Sequence, residues 1–342
     1  MIFGAKTGGL HKDFSGDTIF FLKYDIILKS TQKRGTVMTT EQLTALLTAD
    51  PAAVSESDRR HYYKQVSQAA ELIAANASVR PVILLAGPSG SGKTTTALLI
   101  ERELERRGMS THTLSMDDYF MPLTQEEIAL LKENKLDLEK PTRVDIPYFQ
   151  QQLGDILSGK EVQLPRYDFR TSSRVFEGKT LRRNPGELVI MEGIHALNPM
   201  VTGYADQTTR LYVSVRTRIS AKDGTVLHPS KIRLARRLLR DYTGRGRALT
   251  ETISMREKVD RGEQNYIMPF KQYAHFSIDS FYSCEMSVYR RFLFEKLSAL
   301  LPEYPDLEDM IKVFSELPNT DDTLVPTDSL LREFIGGSEL NY

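Results

Sequence analysis

The chain has 342 residues, enough for one large or two ordinary domains, and its 45 Lys+Arg balance 45 Asp+Glu, which excludes a global basic field for nucleic acid or an anionic membrane. One cysteine, Cys284, excludes an internal disulfide framework and fits a reducing compartment. The longest apolar runs, such as Ile19–Leu22 and Val82–Ala86, are too short to cross a bilayer, and no h-region marks a signal peptide, so a soluble cytoplasmic protein is expected.

Residues 1–37 carry no periodicity that commits them to a core. Gln32-Lys33-Arg34-Gly35, separated from Met38 by Thr36 and Val37, reads as a purine-rich ribosome-binding sequence translated in error. Translation is therefore expected to start at Met38, leaving 1–37 as a disordered or misassigned leader. "TTEQLTALLTAD" and "SESDRRHYYKQVSQAAELIAANA" read as helices, the second opening on Ser/Asp capping candidates, and make 38–80 a helical N-terminal extension. Strand and helix then alternate. "PVILLAG", "STHTLSMDDYF" (running into acids), "GELVIMEGIHAL", "TRLYVSV" and "HFSIDS" read as strands. "KTTTALLIERELERRG", "DIPYFQQQLGDILSG", "SKIRLARRLLRDY" and "SCEMSVYRRFLFEKLSALL" read as helices. Such alternation means a parallel sheet covered on both faces, over 81–302. A tail, 303–342, closes on "VPTDSLLREFIGG", expected as a short docked helix with a glycine stop.

Gly87, Pro88, Ser89, Gly90, Ser91, Gly92, Lys93 and Thr94 fit G-x-x-x-x-G-K-[ST] between an apolar strand and an amphipathic helix, and Thr95 continues the phosphate-binding set. Glycines let backbone N–H groups curl around a phosphate, and the helix N-terminus adds positive potential. Lys93 would reach the β/γ oxygens, and the Thr94 hydroxyl would ligate Mg²⁺. A chance Gly/Ser loop is the bland alternative, and the strand–loop–helix context disfavours it. Glu192 ends an apolar strand, the edge where open α/β sheets bind ligands, and is the candidate second metal ligand; a strand-end turn cap is its bland reading.

Asn134-Lys135-Leu136-Asp137 spells the guanine-reading N-K-x-D, but it follows a polar helical stretch and not an apolar strand, so it is read as coincidence. From Lys231 to Arg247 there are seven Lys/Arg and one acid, Asp241. A solvated helix face is the default for such a run. Beside a phosphate loop, a mobile arginine array has a sharper use, neutralising charge on a transferring phosphoryl group. Few aromatics accompany the arginines, so nucleic acid is not expected. Asp117 and Asp118 end the second strand, where one carboxylate could accept a hydroxyl proton and the other cap the turn.

Taken in order, these motifs resemble the uridine kinase and phosphoribulokinase family of P-loop kinases, over about Pro81 to Leu300. "SMDDYF" is similar to the family's S-x-D-x-[FY]-[FY], which implies Asp117 as base for a sugar 5′-hydroxyl. "LEKPTRVD" is similar to F-D-x-P-x-A-x-D and gives Glu139 the ribose-binding role. "LPRYDFRTSSR" resembles P-x-Y-D-[FY]-x-x-H-[ST]-R and carries Tyr167 to the acceptor pocket. "MEGIHAL" puts Glu192 near the metal. "RRLLRDYTGRGR" implies that Arg237 contacts the acceptor, with Arg240, Arg245 and Arg247 as a phosphate lid. The details lie nearest a bacterial uridine kinase-like branch, whose members often carry an N-terminal domain related to part of threonyl-tRNA synthetase. The segment before Pro81 is too short and helical for that domain, which is expected to be absent.

The resemblance implies an α/β fold, a P-loop NTPase-type parallel sheet with an Arg-rich lid and a β-hairpin acceptor flap. It also implies ATP and Mg²⁺, and a small-molecule acceptor with neither nucleic acid nor membrane as partner; a homo-oligomer is left open. The reaction expected is γ-phosphate transfer to a primary hydroxyl, foremost of a nucleoside. A non-nucleoside sugar or sugar phosphate as acceptor, or a regulatory ATPase, stays open. Ser172 stands where the pyrimidine kinases place His, and Leu138 where they place an aromatic, so the base site departs from theirs.

Overall fold

Five strands pair side by side, all parallel: β1 (Val82–Ala86), β2 (Thr111–Ser115), β3 (Leu188–Glu192), β4 (Thr208–Ser214) and β5 (Phe276–Asp279), in the order β5-β4-β1-β3-β2. The computed structural model describes residues 37–133, 135–203 and 206–340. The leader reading therefore lies outside the described residues except at Val37, and so does Asn134 of the N-K-x-D letters. Strands β1 and β3 are buried at every position, as strands covered on both faces must be. Successive side chains alternate between two cores. Ile83, Leu85, Ile190, Leu211 and Val213 face one, and Val82, Leu84, Val189, Met191 and Tyr212 face the other.

The first core is closed by the helices Pro51–Asn76, Lys93–Arg106 and Glu285–Leu300 and by the C-terminal tail; the second by the helix Ile146–Leu157 and short hairpins. The register sets Glu192 level with Leu85 and with Ser115, so the carboxyl ends of β1, β2 and β3 form one ledge.

Two local readings are corrected. The long N-terminal helix begins at Pro51, not at the Ser/Asp run: Asp50 is its cap, accepting from the Ala53 N–H, and Pro51 supplies the fixed φ suited to a first turn. Ser55 and Asp58 are buried inside it, and Asp58 accepts from the Ser283 hydroxyl and the Cys284 N–H. The extension opens on a strand, Val37–Thr39, parallel to Arg218–Ser220 and too short to show a period. The short docked helix expected at the end of the tail is present as a single turn, Arg332–Ile335, with Phe334 buried and Gly336 at φ +84° as its stop. Among the described residues no helix is long and apolar enough to cross a membrane.

Candidate active site

The phosphate loop leaves β1 and turns into the helix Lys93–Arg106. Gly90 and Gly92 take φ of +76° and +86°, left-handed values that favour glycine. A Cβ on Gly87 would lie 2.2 Å from the Val213 carbonyl oxygen, and one on Gly90 would lie 2.8 Å from that of Arg233. The Ser91 N–H donates to the Pro88 carbonyl, closing the turn, while its buried hydroxyl has no partner. The loop thus presents backbone N–H groups at a helix N-terminus, which is how proteins hold phosphate.

Two arginines brace this loop from behind. Arg233 donates to the Ser89 carbonyl at 3.3 Å, and Arg236 to that of Gly90 at 3.2 Å. The default of a solvated basic face is therefore wrong for the helix Pro229–Gly244: Arg233, Arg236 and Arg237 are 4%, 0% and 5% exposed. Arg236 is paired at 2.8 Å with Glu285, itself fully buried, which offsets the penalty of sequestering the charge.

On the ledge, Glu192 accepts from the Thr94 hydroxyl at 3.3 Å and from Ser115 at 3.2 Å. These oxygens fit a hard divalent cation whose remaining ligands are water and phosphate. Asp117 sits two residues past β2, its N–H donating to Ser115 Oγ, and faces Lys93, Arg245 and Arg240. Burial pushes both carboxyls upward, Lys93 opposes this, and the Asp117 charge raises Glu192 further. Asp118 points elsewhere: it accepts from the Tyr167 N–H at 3.0 Å.

Glu139 lies across from this pair. Its Oε2 is buried without a hydrogen-bond partner, and so is Nε of the neighbouring Arg237. Burial pushes the Glu139 carboxyl up to about 7 against the pull of Arg237 and Lys93. A Cβ on Gly262 would fall 2.2 Å from Glu139 Cβ, so the helix Arg256–Tyr266 closes tightly on it. His195 is also here, 2% exposed, its ring beside the carbonyls of Glu139 and Tyr266 but outside bonding geometry; burial lowers it to about 4, so it is neutral.

Asp241, 4% exposed at its side chain, gathers three arginines of the basic run: Arg240 at 2.9 Å, Arg245 at 3.4 Å and Arg247 at 3.4 Å. Thr252 donates to the same carboxylate. The hairpin Arg166–Asp168 with Ser173–Val175 carries Tyr167, whose ring meets Phe120 and Phe169 edge-on at 5.7 and 5.1 Å. Ser172 lies beside the Tyr167 hydroxyl, accepts from the Leu123 N–H through its carbonyl, and holds φ at +51°.

Lys93, Thr94, Asp117, Glu139, Glu192, Arg237, Arg240 and Arg245 thus share one electrostatic neighbourhood, with Arg247 joined through Asp241 and Tyr167 through Asp118. Sequence reasoning passed over Asp241, His195 and Glu285. Asp241 was visible as the lone acid in the basic run and His195 stood inside "MEGIHAL" without being given a role; Glu285 gave no signal.

The model of the Phosphoribulokinase / Uridine kinase family matches residues 82–287. A uridine kinase of Lactobacillus johnsonii is 31% identical over 201 residues, spanning 58% of this chain and 85% of that protein. The uridine-cytidine kinase-like 1 protein of Mus musculus is 33% identical over 186 residues, 54% of this chain and 31% of that protein. The solved structure of a possible uridine kinase from Bacillus stearothermophilus overlays at TM-score 0.42 and 17% identity, over 63% of this chain and 98% of that one, too loosely to carry an argument.

Proposed function

The chain belongs to the phosphoribulokinase/uridine kinase family, and from that premise we propose that it transfers the γ-phosphate of ATP to the primary 5′-hydroxyl of a nucleoside. It is a P-loop kinase, a phosphotransferase acting on a hydroxyl. In this reading 81–302 is the catalytic domain, flanked by the 38–80 extension and the 303–342 tail.

The observation that carries the reading is Asp117, a carboxylate at the sheet edge ringed by Lys93, Arg240 and Arg245. Burial raises its proton affinity, which makes it a better base near neutral pH. The acceptor hydroxyl gives its proton to Asp117 as its oxygen bonds to the γ-phosphorus, and ADP leaves. Lys93 and the lid arginines neutralise charge on the moving phosphoryl group. Residues 87–95 cradle the phosphates. Mg²⁺, when bound, would be held by Thr94 and Glu192 and would draw charge from the phosphate oxygens. On the acceptor side, Glu139 and Arg237 have buried polar atoms without partners, as a pocket for sugar hydroxyls requires. Tyr167 and Ser172, on the flap joined to the site through Asp118, complete the acceptor side in this reading.

Asp117→Asn tests this. The amide cannot take the proton, so kcat should fall by about 10²–10⁴ while affinity for the ATP–Mg²⁺ complex stays within a few-fold. Single-turnover phosphoryl transfer with retained kcat would sink the assignment.

A further inference from the structure

Both segments outside the family match, which ends at 82 and 287, reach the phosphate loop. From the N-terminal helix, Tyr62 is 1% exposed and its hydroxyl lies 2.6 Å from Thr96 Oγ1. Thr96 donates its own proton to the Gly92 carbonyl at 2.6 Å, so Tyr62 must be the donor of the pair. A two-step hydroxyl chain therefore ends on the left-handed glycine that opens the Lys93 helix. From the C-terminal tail, Leu330 covers the same glycine: a Cβ there would meet Leu330 Cδ1 at 2.4 Å. One turn on, Glu333 accepts the hydroxyl proton of Thr95, a fully buried residue of the phosphate motif.

The two segments are also fastened to each other. Asp328 accepts from Arg59 and from the Tyr63 hydroxyl, both at 2.9 Å. Arg233 and Arg236 fix the first half of the loop at Ser89 and Gly90, whereas Gly92 and Thr95 receive these contacts from chain that the family model does not include. A glycine loop has much backbone freedom to lose, and freedom lost before the ligand arrives is not charged against its affinity.

We propose that the N-terminal helix and the C-terminal tail form a clasp that holds the phosphate loop in its anion-binding shape, with Tyr62 and Glu333 as positioning residues. The proposal rests on the reading of residues 87–95 as the ATP site.

The test uses the full chain and calorimetric Kd values for a non-hydrolysable ATP analogue with Mg²⁺. Tyr62→Phe and Glu333→Leu should each weaken binding about tenfold, the worth of one buried hydrogen bond. Glu333→Gln, whose amide oxygen still accepts from Thr95, should bind within about twofold to threefold of wild type. Acceptor KM, and kcat at saturating ATP, should stay within about twofold, because uniform binding alone is lost. Should Glu333→Leu not fold, Glu333→Ala removes the same bond and carries the same expectation. Unchanged Kd in both variants contradicts the clasp, and so does tighter binding by Glu333→Leu, which would mark the carboxylate as repelling the triphosphate. Parallel loss of Kd, kcat and Tm would mean a merely structural contact and equally contradict it. If wild type itself binds no ATP analogue, the kinase reading fails instead.

Discussion

Glu139 is held by Arg237 and Lys93 in a setting that still leaves one carboxylate oxygen without a hydrogen bond. Burial raises it from an ordinary 4.5 to about 7. The unfolded chain releases this proton near pH 4.5 and the folded chain only near 7, so between those values the folded state binds more protons. Its contribution to stability therefore falls as pH rises through that window. Without ligand, Glu139→Gln should melt nearly level with wild type at the acid end and increasingly above it toward pH 7.5. Melting curves that stay parallel would contradict the assignment. A ligand whose hydroxyls satisfy the carboxylate should shrink the difference. The motif around Glu139 singled it out in sequence as a candidate, and its unpartnered buried oxygen beside Arg237 came from the structure. His195 was not legible, because a histidine after a strand looks the same whether it faces solvent or a sealed acceptor wall. Ser172 was legible only as a departure, whereas its left-handed backbone emerged from the structure.

The helix Pro229–Gly244 and the lid after it are the element in which charge does most. Its outline followed from helical spacing, with His228 capping the start and Pro229 in the first turn. Its orientation did not follow, because what turns Arg236 inward is Glu285, 49 residues away. No local pattern encodes that pairing. Asp241 organises locally: by drawing Arg240, Arg245 and Arg247 to one buried carboxylate, it keeps three like charges close before any phosphate arrives. Removing one lid arginine, Arg245→Ala, should cut kcat by roughly 10³ with much less effect on ATP binding. Asp241→Asn keeps the shape and loses the charge, and should lower kcat by about tenfold or more by loosening all three. Steady-state kcat and the KM for ATP check both. A raised KM for ATP with unchanged kcat would show that the arginines act on ground-state phosphate alone.

The parallel sheet, its ligand edge and the phosphate loop were readable because each rests on local signals: apolar strands, glycine spacing and helix caps. The contacts that the helix Pro51–Asn76 and the C-terminal tail make around the loop were not, since Tyr62–Thr96 and Thr95–Glu333 join segments that share no motif. At this scale the central claim is the reaction itself. It is tested by incubating the full chain with ATP, Mg²⁺ and a panel of acceptors, namely pyrimidine and purine nucleosides, their 2′-deoxy forms, free sugars and sugar phosphates. Products are then identified by mass spectrometry with fragmentation to place the phosphate. The account predicts ADP and a nucleoside 5′-monophosphate in equal amounts, with ribose acceptors ahead of deoxyribose ones. Phosphate appearing only on a free sugar or sugar phosphate, or ATP hydrolysed with no acceptor modified, would contradict it.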